Sequence, residues 1–150
     1  MKLSKESRYA IEGLLVLAKE QPNTIMQLKD IARTAGVPAN FLAKIFQKLN
    51  QANIVASSRG AVRGYALARR PGAIKVENIF LAVEGDDIFD RCLFWSDRCV
   101  DLTPCPMHFE LKRVRKSIAA LMQRTTLADL VTKSGRKSRS PAWRSKKESW

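Results

Sequence analysis

The sequence predicts a mainly α fold: a winged helix-turn-helix with a two-strand wing, followed by a long C-terminal dimerisation helix. Three observations predict it. Two apolar runs of helical period flank a Gly36-Val37-Pro38 turn. Two short β-type runs follow at once, around a linker carrying two glycines and two arginines. A last helical stripe then begins beside a loop that holds the only three cysteines and the only histidine of the chain.

Ser4 has the side chain of a helix cap, and Tyr9, Gly13, Leu14, Leu17 and Ala18 recur at three- and four-residue steps after it. Gln21-Pro22-Asn23 breaks that pattern. A short helix read over Met26 to Ala35, carrying Leu28, Ile31 and Ala32, runs to Gly36, and a longer one starts near Pro38 with Phe41, Leu42, Ile45, Phe46 and Leu49 on its apolar side. Two helices joined by so tight a turn make a helix-turn-helix. Residues 54–57 and 65–68 read as strands, and Gly60 and Gly64 stand between them where a turn needs positive φ. A hairpin directly after a helix-turn-helix is a wing. Val76, Ile79, Phe80 and Val83 mark a further helix ending at Gly85, before an acidic stretch. From Met107 the chain is helical again, with Phe109, Leu111, Val114, Ile118, Leu121 and Met122 in one stripe that suits a partner helix in a second copy.

Charge divides the chain in the same places. Lys and Arg against Asp and Glu stand at twelve to four over residues 1–70, eight to nine over 71–131, and seven to one over 132–150. Residues 1–70 therefore read as a basic DNA-binding domain, 71–131 as a near-neutral cluster-binding loop and dimerisation helix, and 132–150 as a disordered basic tail with Trp143 and Trp150 exposed. The net charge of +13 points to a polyanionic partner, double-stranded DNA before others. Met1 to Arg8 lack a secretory apolar core, and no run approaches the roughly 20 apolar residues that cross a bilayer, so a cytoplasmic protein without a membrane partner is expected. Nothing resembles a nucleophile elbow or a third member for a cysteine–histidine pair, so the chain is not expected to be an enzyme and no catalytic residue is assigned.

Cys92, Cys99, Cys105 and His108 are the candidate metal ligands. Thiolate and imidazole are the strongest soft-metal donors a protein has, and here the whole supply lies in one stretch. Six residues separate the first two cysteines, five the next two, and two lie between Cys105 and His108. Gaps of five and six let a loop curl around a cluster several ångström across, which leans toward iron–sulfur; three cysteines and a histidine also complete a tetrahedral zinc site. Arg91 and Arg98, beside two of the cysteines, would favour the thiolate form.

Met1-Lys2-Leu3-Ser4 with Arg8-Tyr9-Ala10, the Ala35-Gly36-Val37-Pro38 turn, Phe41 to Leu49, Ser58-Arg59-Gly60 with Gly64-Tyr65, and Thr126 to Leu130 together resemble the IscR/NsrR-type family of bacterial winged-helix iron–sulfur transcriptional regulators. The resemblance covers residues 1–131. It implies a homodimeric regulator, often a repressor, whose cluster tunes DNA binding in response to cluster supply, redox state or nitric oxide. Cys105-Pro106-Met107-His108 is similar to the branch with a 2Fe–2S cluster and histidine as fourth ligand. Members with a 4Fe–4S cluster can use an acidic residue near the partner's N-terminus, where this chain has Arg8, so 2Fe–2S is favoured. The chain departs from the family in its six-residue first cysteine gap, in Ala61-Val62-Arg63 ahead of Gly64, and in Ala43 where the cluster-biogenesis regulators carry an acidic residue.

Opposite the apolar side of the second helix-turn-helix helix stand Asn40, Lys44 and Gln47, expected at base edges or phosphate. Lys48 and Arg59 are expected on phosphate and Arg63 in the minor groove. Two rival readings keep part of this pattern: a winged-helix DNA binder with a structural zinc site, and a cluster-carrying redox protein that docks on other proteins.

Overall fold

The computed structural model describes residues 4–92, 94–95 and 99–135. Its elements are α1 (Lys5–Lys19), α2 (Leu28–Ala35), α3 (Ala39–Gln51), β1 (Val55–Ser58), β2 (Gly64–Leu67), α4 (Val76–Glu84), α5 (His108–Arg124) and α6 (Leu127–Gly135), with a 3-10 turn at Pro71–Ala73.

The Ser4 hydroxyl caps α1 by accepting from the Ser7 N–H, and Ala10, Gly13, Leu14 and Leu17 form the buried side of that helix. α2, α3, α4 and α6 all pack on α1, which makes it the axis of the molecule. Gly13 lets α3 come close, since a Cβ there would sit 2.8 Å from Cε2 of Phe46. Leu14, Ile31, Leu42, Ile45, Phe46 and Leu49 are fully buried in one core that extends to Ile54, Ile74 and Ile79. Each such side chain contributes about 1.5–3 kcal/mol of transfer free energy, so the three helices of the N-terminal half hold one another in place.

Gly36 closes α2 in the left-handed conformation, φ 67° and ψ 35°, and Val37 N–H returns to the Ala32 carbonyl at 3.0 Å. That conformation needs no Cβ, which is why the turn carries glycine. α3 follows from Pro38 as the sequence pattern requires.

β1 and β2 pair antiparallel from Val55 opposite Leu67 to Ser58 opposite Gly64. Met26 adds a one-residue third strand: Met26 N–H donates to the Tyr65 carbonyl at 2.9 Å and Tyr65 N–H to the Met26 carbonyl at 2.8 Å. The glycine expectation for the wing holds at Gly64 alone. Gly60 has no positive φ, whereas Gly64 (φ 155°) lies against the Met26 main chain.

The acidic stretch after α4 folds back onto it, where Ile88 joins Val76 and Phe80 in a second apolar cluster reached by Met122 and Leu130. α5 lies on α4. Its apolar stripe is not consumed within the chain, for Phe109, Val114 and Leu121 remain 70%, 52% and 48% exposed. After α5 a separate helix appears. Thr126 and Asp129 cap α6 reciprocally: the Asp129 carboxylate accepts from Thr126 N–H at 2.8 Å, and the Thr126 hydroxyl accepts from Asp129 N–H at 3.2 Å. Val76 N–H to the Thr125 carbonyl and Leu127 N–H to the Ile74 carbonyl tie this junction to the start of α4. Thr132 to Gly135, read from the sequence as the beginning of the tail, complete α6. The rest of that tail, with Trp143 and Trp150, lies outside the described residues.

Candidate metal centre and nucleic-acid interface

The loop between α4 and α5 brings the four donors together. His108 opens α5 and is 1% exposed, and Cys105 is 5% exposed just before it, joined by the His108 N–H to the Cys105 carbonyl at 3.0 Å. Nδ1 of His108 lies 3.1 Å from Sγ of Cys99. The Cys92 thiol is within hydrogen-bonding reach of Cys105 and Cys99. All three cysteines are free thiols.

Local groups displace the Cys92 and Cys105 thiols in opposite directions. The backbone N–H of Trp95 first, against the opposing effect of burial, and then that of Phe94 hold the Cys92 thiol below its ordinary range. Burial pushes the Cys105 thiol up, and the neighbouring Cys92 and Cys99 act in the same direction. Arg91, expected to act on the adjacent thiol, instead grips both oxygens of Asp87 at 3.0 and 2.8 Å and the Glu84 carbonyl at 3.1 Å. Arg98 lies outside the described residues.

The donors fit a soft metal by chemistry: three sulfurs and one imidazole nitrogen gathered along one loop. Among the described residues, no group of three or more His, Cys, Asp or Glu side chains stands ready to hold a single metal ion. One polar neighbour had no signal in the sequence. Asp101 accepts from Nε2 of His108 at 2.7 Å and from Nζ of Lys112 at 2.6 and 2.9 Å. Lys112 first, then His108, keeps the Asp101 carboxyl below the usual carboxylate range.

The basic face is built from α3 and the wing. Asn40, Lys44 and Gln47 are exposed along one side of α3, opposite the buried Leu42, Ile45, Phe46 and Leu49. Gln47, Arg59 and Arg63 line a common groove of about 610 Å³ that Lys29 enters from α2. Asn50, unnoticed in the sequence, ties α3 to the wing by accepting from Ser57 N–H at 3.3 Å. Lys48 makes contacts within the chain. Its ammonium donates to Glu6 at 2.8 Å and to the Val83 carbonyl at 3.2 Å, so it bridges α3 to α1 and α4.

The cysteine loop and α3 meet at the end of α4. The Glu84 carboxylate accepts from Ser4 N–H at 2.9 Å and from the hydroxyls of Ser4 and Ser7. Its main-chain carbonyl accepts from Arg91, the residue before Cys92, and the preceding carbonyl of Val83 accepts from Lys48 of α3. Burial raises the Glu84 carboxyl, but the two serines and Arg91 outweigh it and the net displacement is downward.

Comparison with known proteins agrees with this geometry. Residues 3–133 match the Rrf2 family model, described as iron-dependent transcriptional regulator. The chain is 30% identical over 132 residues to the HTH-type transcriptional regulator IscR of Vibrio parahaemolyticus, covering 88% of this chain and 78% of that protein. Among solved structures it superposes on CymR, the global cysteine regulator of B. subtilis, with a TM-score of 0.72 and 28% identity over 89% of this chain and 98% of that one. It superposes on T. potens IscR with a TM-score of 0.71 and 25% identity, covering 96% of each chain. No helix among the described residues is long and apolar enough to cross a membrane. A family match over nearly the whole patterned chain, joined to a helix-turn-helix with its wing, means that this protein belongs to the Rrf2 family and is a winged-helix DNA-binding transcriptional regulator, not an enzyme.

Proposed function

We propose that the protein is a cytoplasmic, homodimeric repressor whose iron–sulfur cluster, of the 2Fe–2S type, is held by Cys92, Cys99, Cys105 and His108 and tunes binding to a pseudo-palindromic DNA site. The observation that carries this reading is the meeting of all four donors in one loop, with the imidazole nitrogen 3.1 Å from a cysteine sulfur. When bound, the cluster supplies a centre sensitive to redox state and to iron–sulfur supply. The chain's own residues connect that centre to DNA. Arg91 fastens the loop entrance to the last turn of α4, and Lys48 fastens α3 to the same turn. A rearranged loop thus acts on the element that holds α3. Two-fold pairing is supported by the exposed Phe109, Val114 and Leu121 of α5, an apolar stripe left without cover in one chain. Asn40, Lys44 and Gln47 would read or clamp one major groove per subunit, with Arg59 and Arg63 on its flank.

The test is anaerobic purification, followed by iron, sulfide and zinc analysis and by titration of holo and apo forms with duplex DNA. A red-brown dimer with about two iron and two sulfide per chain and a DNA affinity that changes on cluster loss is expected. A colourless dimer with about one zinc per chain and unchanged DNA binding would replace the sensor by a structural zinc site. A coloured protein without salt-dependent DNA binding would make it a cluster-carrying redox protein.

The two lysines of α3 separate the DNA face from the internal bridge. Lys44→Ala is expected to weaken duplex binding and to lower the slope of log affinity against log salt by about 1, with unchanged thermal stability. Lys48→Ala is expected to keep the slope and to lower stability by under about 1 kcal/mol, since the pair with Glu6 is partly exposed. The reverse pattern in salt-dependent titrations would return Lys48 to the DNA face.

A further inference from the structure

We propose that Asp101 is a positioning residue that makes His108 an Nδ1 donor to the metal centre, with Lys112 holding Asp101 in place; this rests on the cluster reading above. A neutral imidazole has one N–H and one lone pair, and an ionised carboxylate only accepts. Nε2 of His108 faces the Asp101 carboxylate at 2.7 Å, so Nε2 carries the hydrogen. The lone pair is then on Nδ1, the nitrogen directed at Sγ of Cys99 at 3.1 Å. The ring is 1% exposed, whereas Asp101 is 68% exposed and needs an anchor of its own. Lys112 provides it, donating to both carboxylate oxygens from the position one helical turn after His108. Imidazole, carboxylate and ammonium thus form a chain whose two ends sit on α5 and whose middle sits in the loop. A carboxylate on the far nitrogen of a metal-bound histidine fixes ring orientation and strengthens the donor.

Asparagine at 101 keeps the shape but offers an amide N–H as well as an oxygen, so it can reverse the tautomer. The chain has one histidine, so its ring nitrogens are read without assignment. In the metal-free dimer, long-range nitrogen–proton NMR is expected to show the Nε2–H form for the wild type and a shift toward Nδ1–H for Asp101→Asn. In anaerobically reconstituted protein selectively labelled with nitrogen-15 at Nδ1 of histidine, pulsed electron paramagnetic resonance of the reduced cluster is expected to show strong coupling to that nucleus. Asp101→Asn is expected to release iron to bathophenanthroline roughly 10-fold faster or more, and Lys112→Met to do so by a smaller factor. Unfolding of the metal-free protein should be unchanged by either substitution, which separates positioning from structural support. Coupling through Nε2, or an unchanged tautomer and release rate in Asp101→Asn, would overturn this assignment and leave the cluster reading intact. A wild type that takes up no iron–sulfur cluster would overturn both.

Discussion

Gly64→Ala is expected to lower stability by about 2–4 kcal/mol and to cost most of the DNA affinity, while Gly60→Ala, in the same wing, changes neither. A Cβ at residue 64 would lie 2.2 Å from the Met26 carbonyl oxygen and 2.6 Å from its carbon. Both are main-chain atoms, so no rotamer change relieves the overlap. The two hydrogen bonds between Met26 and Tyr65 would have to lengthen or break. With them goes the seating of the Tyr65 ring, which packs edge-on against Phe46 with centroids 5.1 Å apart. That contact connects the wing to the core beneath α3. Once it is lost, Arg59 and Arg63 no longer hold their place beside Gln47 across the groove. A Cβ at residue 60 meets nothing within 4 Å. Urea denaturation of both variants, with DNA titration at fixed salt, reads the contrast; equal midpoints for the two would remove the Met26–Tyr65 pair from any part in holding the wing.

The features legible in the sequence are those with a repeating or local cause. Leu42, Ile45, Phe46 and Leu49 announce a helix because burial on one side imposes a 3.6-residue period, and Gly36 announces the turn because φ of 67° excludes most side chains. The candidate donors at 92, 99, 105 and 108 stand out because their residue types are scarce and crowded. Met26 was not legible as a strand, since a single paired residue has no alternation to detect. The break between α5 and α6 did leave a trace, in the Thr126-x-x-Asp129 spacing of a reciprocal cap, but the long apolar stripe before it obscured the boundary. Lys44 and Lys48 show where local reasoning stops. They are one turn apart on one helix, and their difference depends on Glu6 and the Val83 carbonyl, 42 and 35 residues away in the chain. Asp101 is hidden for the same reason: only the folded loop brings it to His108 and Lys112.

Glu84→Gln carries the second large effect, and its pH dependence identifies the cause. The carboxylate receives a main-chain N–H and two hydroxyls at the start of α1, and its own backbone serves Arg91 at the entrance to the cysteine loop. Hydrogen bonds to a charged acceptor are worth about 1.5–3 kcal/mol in buried settings, and solvent screening of this half-buried group reduces the loss on substitution to about 1–2 kcal/mol. The folded carboxyl lies below its ordinary value: burial opposes this, and the two serines and Arg91 overcome it. A depressed carboxyl stabilises the fold above its unfolded pKa of about 4.3, and that contribution is lost as pH falls through the lower folded value. The stability gap between wild type and Glu84→Gln is therefore expected to be full at neutral pH and to close in acid below about pH 4.3. Denaturation curves across that range measure it, and a gap that persists unchanged in acid would mean that shape rather than charge matters at this position. The same substitution tests the coupling. Because the Arg91 hydrogen bond is to a main-chain carbonyl, glutamine leaves that bond available while it loosens the grip on Ser4 and Ser7 and removes the charge attraction to Arg91. If α1 is the body against which α4 holds α3, Glu84→Gln is expected to narrow the difference in DNA affinity between holo and apo protein while the iron and sulfide content stays as in the wild type. An undiminished difference would route the coupling through the dimer helices instead.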